Sequence, residues 1–133
     1  MNARSIVNKF DHFEACVYDI NPDIIGATES WTGCHVSDME LALNSYDLFR
    51  QDRPVDRDDG GVLLYVSSTL NAVQYRPTLA TQFPEQIWCY FVDSKGCRFY
   101  VGVCYRTPSS PSMCIVLGIM TYSEKLLEKW VIR

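Results

Sequence analysis

Apolar residues recur at helical spacing from Ser5 to about Asp19, where Ile6, Phe10, Phe13, Cys16, Val17 and then Ile20 mark one face of an amphipathic helix. Asn21 and Pro22 close it, because proline cannot continue a helix and restricts the residue before it. Ile24 to Thr28 is too short for a helix and apolar enough for a buried strand. The connection is tight, so the helix is expected to fold back onto the sheet that holds this strand. Ser37 to Leu43 predicts a brief helix, with Ser37 and Glu40 forming a capping box. Tyr46 to Arg50 reads as a strand.

The next stretch, Gln51 to Gly61, is polar and ends in Asp58-Asp59-Gly60-Gly61, which is turn chemistry. Four further strands follow at Val62 to Val66, Asn71 to Tyr75, Gln86 to Val92 and Arg98 to Tyr105. Asp93-Ser94-Lys95-Gly96 supplies a hairpin turn between the last two. The expected fold class is α/β of the α+β kind: one helix–strand unit followed by largely antiparallel strands, with no internal repeat.

Composition narrows the picture. A chain of 133 residues, 47% hydrophobic and 21% charged, fits one domain with a real core. A net charge of −4 argues against a protein that coats nucleic acid, although local arginines can still meet a phosphate. Arg50, Arg53, Arg57, Arg76 and Arg106 are the candidates for such a rim, with Asp52, Asp56, Asp58 and Asp59 cancelling much of their field. No run of about eighteen apolar residues occurs, and the first residues lack an apolar signal segment, so the expectation is an intracellular, soluble product. The six cysteines contain no C-x-x-C pair, and His12 and His35 are not at ligand spacing from each other. Reduced thiols are expected, with Cys16, Cys89 and Cys104 on apolar faces.

Glu29 is the residue with most chemical promise, because the apolar strand before it delivers a carboxylate to the strand's C-terminal edge. Its neighbours form an ordered set: Asn2-Ala3-Arg4-Ser5, then Pro22-Asp23-Ile24-Ile25-Gly26 leading to Thr28-Glu29-Ser30-Trp31, then Gly60-Gly61-Val62-Leu63-Leu64-Tyr65-Val66, then Val101-Gly102-Val103-Cys104-Tyr105-Arg106-Thr107-Pro108. In this order the chain resembles the endonuclease/exonuclease/phosphatase superfamily, and within it the apurinic-like endonuclease domain of non-LTR (LINE-type) retrotransposons. The resemblance spans residues 1–110; the tail, 111–133, lies outside the family pattern.

The resemblance implies a four-layered α/β sandwich with the active site at one end of the strands, and cleavage of phosphodiester bonds with Mg²⁺ or Mn²⁺. By this resemblance Glu29 is the metal ligand, Asn2 and Tyr105 are catalytic groups beside the reacting phosphate, and Arg106 is a DNA-backbone contact. It also implies DNA as partner, a reverse transcriptase domain on the same parent chain, a nuclear location for that parent and no membrane. The residue types suit the chemistry. A carboxylate holds a hard cation that offsets phosphate charge, while an amide and a phenol add neutral hydrogen bonds to phosphate.

Two motifs of complete members are missing: the Gly-Asp-x-Asn strand end and the terminal Ser-Asp-His triplet. Losing one acid/base or electrostatic group typically costs on the order of 10²- to 10⁴-fold in rate. The expectation is therefore an incomplete endonuclease copy that nicks DNA little or not at all, the alternative being a catalytically dead binding or interaction module. The chain begins one residue before Asn2, so a central strand of the first sheet is expected to be missing, leaving exposed edges. Ser123 to Val131 reads as a short helix, in a tail of the kind that a frameshift or mis-splicing produces.

Overall fold

The computed structural model describes residues 1, 3–53, 60–77, 85–105 and the backbone of 116–121. A single turn of 3₁₀ helix, Val7–Lys9, leads into helix α1, Phe10–Ile20. Seven strands follow: β1 (Ile24–Thr28), β2 (Tyr46–Gln51), β3 (Val62–Ser67), β4 (Val73–Tyr75), β5 (Glu85–Val92), β6 (Arg98–Tyr105) and β7 (Val116–Thr121). They form two antiparallel sheets, one ordered β1-β3-β2 and the other β4-β5-β6-β7. The protein is thus a mixed α+β fold with one helix and two sheets among the described residues. None of its described helices is long and apolar enough to cross a membrane.

Strand β3 explains the layering. All five residues from Val62 to Val66 are fully buried, as a strand covered on both faces requires. Leu63 and Tyr65 face a cluster with Ile6, Phe13, Val17, Ala27 and Leu41, which seats α1 on the first sheet. Val62, Leu64 and Val66 point the other way, against Ile87, Cys89, Val101, Val103 and Tyr105 of the second sheet. Each large apolar side chain so buried contributes about 1.5–3 kcal/mol. Tyr65 also donates its hydroxyl to the Leu41 carbonyl at 3.0 Å, and burial pushes its phenol far above the usual range.

The helix differs from its sequence pattern at its start. Arg4 and Ser5 take left-handed backbone (φ 43° and 68°), so the regular helix begins at Phe10 rather than Ser5. It ends as expected: Asn21 adopts φ 47° and returns its N–H to Val17 O at 2.7 Å. Cys16, expected on the apolar face, is exposed, because Phe13 and Val17 carry the contact with the sheet and Cys16 lies a third of a turn away. Ile20, in the last turn, is 73% exposed.

Other local expectations match the structure. Ser37 and Glu40 make the capping box of a 3₁₀ turn, Asp38–Leu41. In the β5–β6 hairpin, the Asp93 carboxylate accepts from the Lys95 and Cys97 N–H groups, both at 2.8 Å, while Gly96 takes the positive φ of 81° that the turn needs. Among the described residues no strand lies on the outer side of β1, an edge strand as expected, but the chain start covers part of that edge. Thr28 N–H donates to Met1 O and Ala3 N–H to Thr28 O, both at 2.8 Å, a parallel pairing that lays the chain start beside the end of β1. The Met1 ammonium donates to Gly26 O at 2.6 Å. The tail beyond Thr121, including the helix expected from Ser123, lies outside the described residues.

The cysteines generate a direct check. Cys16, Cys34 and Cys97 are free and exposed, Cys89 is free and buried, Cys104 is buried, and burial pushes the Cys89 thiol up to about 11. A water-soluble thiol reagent at mildly alkaline pH is expected to label the first three quickly and the buried pair only on unfolding, as read by peptide mass spectrometry. Rapid native labelling of Cys89 contradicts the packing. Because the thiol proton is held more tightly in the folded state, stability from this site is complete below the ordinary thiol value and is lost as pH rises through about 11.

Candidate metal and phosphate site

One end of the two sheets gathers the chain segments singled out in the sequence. Thr28 pairs with Val62 at the start of β3, and the residue before Val62, Gly61, donates its N–H to a Glu85 carboxylate oxygen at 2.8 Å. Glu85 lies directly across from Tyr105 in the β5–β6 ladder. The end of β1, the starts of β3 and β5 and the end of β6 therefore meet at one edge, with Glu29 and Tyr105 both on it.

Glu29 leaves β1 in the left-handed region (φ 56°), and Trp31 follows at φ 53°. A non-glycine residue held there costs about 1–3 kcal/mol and persists only where its surroundings fix it. They do so here. Glu29 O accepts from Ser5 N–H at 3.1 Å, Ser30 O from Ile6 N–H at 3.0 Å, and Trp31 N–H donates to Gly60 O at 2.8 Å. The Trp31 indole N–H then donates to Glu29 Oε2 at 2.8 Å, which fixes the carboxylate's orientation at a half-buried position.

Beneath Glu29 runs a polar network. The buried Ser30 and Thr32 hydroxyls lie 3.0 Å apart, and Thr32 donates to Asp52 Oδ1 at 2.9 Å. Arg50 grips Asp52 with two nitrogens and reaches Asp38 Oδ1 and the Val36 carbonyl at 2.9 Å and the Gly33 carbonyl at 3.1 Å. Burial works against the Arg50 charge, but its hydrogen bonds and charge contacts with Asp52 and Asp38 outweigh that and raise its pKa. Arg53 and Glu85 form a second ion pair, with side chains only 11% and 5% exposed. Gly61 is required under Ser30: a Cβ there meets Ser30 Oγ at 2.6 Å, and its φ of 82° disfavours any side chain.

These contacts revise the arginine rim. Arg50 and Arg53 point into the fold and hold its end together. Arg76 is exposed, and Arg57 and Arg106 lie outside the described residues. Asn2 also lies outside them, although its neighbours Met1 and Ala3 bond to Thr28. Tyr105 is 3% exposed and its ring packs in the core between the sheets. His12 and His35 are exposed, with His12 Nε2 3.8 Å from Cys16 Sγ.

Sequence reasoning passed over the Arg53–Glu85 pair, the Thr32–Asp52–Arg50 chain and the role of Trp31. Only the Glu-x-Trp spacing and the acid opening the apolar run of β5 hinted at them. Among the described residues no three His, Cys, Asp or Glu side chains gather as a metal cage. The donor set is one oriented carboxylate. That suits Mg²⁺, which keeps several waters and takes one or two carboxylates plus substrate phosphate. Compared with family models, curated proteins and solved structures, the chain matches none.

Stability and site separate cleanly by mutation. Glu85→Gln removes a buried negative charge that Arg53 and the Gly61 N–H both bond, and is expected to cost more than about 1 kcal/mol in urea unfolding. Glu29→Gln keeps an acceptor for Trp31 and is expected to change stability by less than about 0.5 kcal/mol. Equal losses in the two variants contradict this division.

Proposed function

We propose that this chain carries the cation-anchoring end of an apurinic-like endonuclease domain of the non-LTR retrotransposon type, within a four-layered sandwich, and that it binds DNA with Mg²⁺ or Mn²⁺ while hydrolysing it little or not at all. One observation carries the reading. Glu29 is held by strained backbone and by the Trp31 indole at the sheet end that it shares with the Tyr105 strand terminus.

Bound there, a divalent cation supplies positive charge against the nonbridging oxygens of a phosphodiester. Glu29 holds it through one carboxylate and Trp31 keeps that carboxylate oriented. Asn2 adds a neutral hydrogen bond to the phosphate and Arg106 contacts the DNA backbone, while Tyr105, 3% exposed in the core between the sheets, anchors the end of β6 rather than touching the phosphate. Positioning of this kind binds and orders a phosphate. It does not activate a water, and the sequence lacks the Gly-Asp-x-Asn and Ser-Asp-His groups that would do so. The dead-module reading differs only in denying cation-dependent binding. In the complete parent the same site would nick nuclear target DNA to expose a 3′-hydroxyl for a reverse transcriptase on that chain.

Manganese titration followed by electron paramagnetic resonance tests the reading. Wild type is expected to bind Mn²⁺ at one site that Glu29→Ala weakens by roughly tenfold or more, as expected on losing a direct ligand to a weakly chelated ion. Plasmid nicking is expected to stay at background in both. Equal Mn²⁺ binding by wild type and Glu29→Ala contradicts the assignment, and efficient nicking contradicts the inactivity.

A further inference from the structure

Trp31 is 41% exposed, yet it is anything but a loose surface aromatic. Its backbone is pinned to Gly60 O at 2.8 Å, its indole N–H to Glu29 Oε2 at 2.8 Å, and its φ is 53°. The residue before it, Ser30, is fully buried and hydrogen-bonded to Thr32. An unpinned exposed tryptophan samples rotamers freely; this one has its polar edge spent on the carboxylate. The side chain is therefore ordered before any ligand arrives, which removes much of the entropy cost of using it in binding.

Resting on the function proposed above, we infer that Trp31 is a base-stacking residue, receiving the nucleobase next to the phosphate held at Glu29. Trp31 Nε1 lies 2.8 Å from Glu29 Oε2, so a base on the indole would be the neighbour of a phosphate bridged to that carboxylate by the cation. Stacking on an indole is open to any base, because each presents a π-face. The residue contributes affinity and register without reading sequence. The neighbouring surface is suited to this division of labour: Arg50 and Arg53 are committed to carboxylates inside the fold, so the aromatic face supplies attraction that these two cations do not.

The experiment measures affinity for a short fluorescein-labelled oligonucleotide in Mn²⁺, intact or with central abasic sites, by anisotropy. Trp31→Gly removes the ring and suits the left-handed backbone, so the fold is retained; Trp31→Phe keeps a ring and loses the N–H. Stacking predicts that Trp31→Gly weakens the intact oligonucleotide about tenfold. Abasic substitution should weaken wild type similarly and leave Trp31→Gly unaffected, and Trp31→Phe should recover most of the loss. Additive effects of the mutation and the abasic sites, or no effect of Trp31→Gly, overturn the inference. Mn²⁺ binding that depends on Glu29 but DNA affinity indifferent to Trp31 sinks the stacking role alone. Absence of both sinks the function on which it rests.

Discussion

Burial of β3 on both faces is the constraint from which the other placements follow. With Val62 through Val66 inaccessible to water, α1 must lie on the Leu63 and Tyr65 side and the second sheet on the Val62, Leu64 and Val66 side. Alternation at period two then decides which face every neighbouring residue meets. A one-residue slip of β3 would turn Tyr65 away from Leu41 and bring the sheet-facing set against the helix. The register is consequently fixed by packing, and with it the height at which β1 ends and Glu29 emerges.

At that height the chain turns sharply, and polar contacts take over from apolar ones. Gly60 and Gly61 let β3 begin close under Ser30, and the Glu85 carboxylate ties this corner to the second sheet. The buried ion pair does not by itself argue for great stability, since desolvation offsets much of its attraction. Its effect is on arrangement: both sheets end at one level, held by charges that cannot slide. The left-handed backbone at Glu29 and Trp31 is tolerated because this scaffold determines it from several sides.

Much of this architecture is legible in the sequence. The strands at Ile24–Thr28 and Arg98–Tyr105, the capping box at Ser37 and the hairpin at Asp93 follow from local chemistry, and local chemistry is what a single sequence records. The site is legible only in part. Glu29 stands where the strand pattern places it, but its conformation depends on bonds to Ser5 and Gly60, distant in the chain. Arg50 and Arg53 read as solvated charges, since nothing in their neighbourhood reveals that Gly33, Val36 and Glu85 fold over them. Cys16 reads as apolar because helical periodicity alone does not say which of two adjacent stripes faces the sheet.

What the account asserts of Glu29 is that a divalent cation is held by its carboxylate at the common end of the sheets. Crystals of the protein soaked in Mn²⁺ and measured for anomalous scattering at the manganese edge test this most directly. The account predicts one peak at about 2.1–2.3 Å from a Glu29 carboxylate oxygen, with the rest of its coordination filled by oxygen. A peak elsewhere with none at Glu29, or no bound manganese at all, contradicts it.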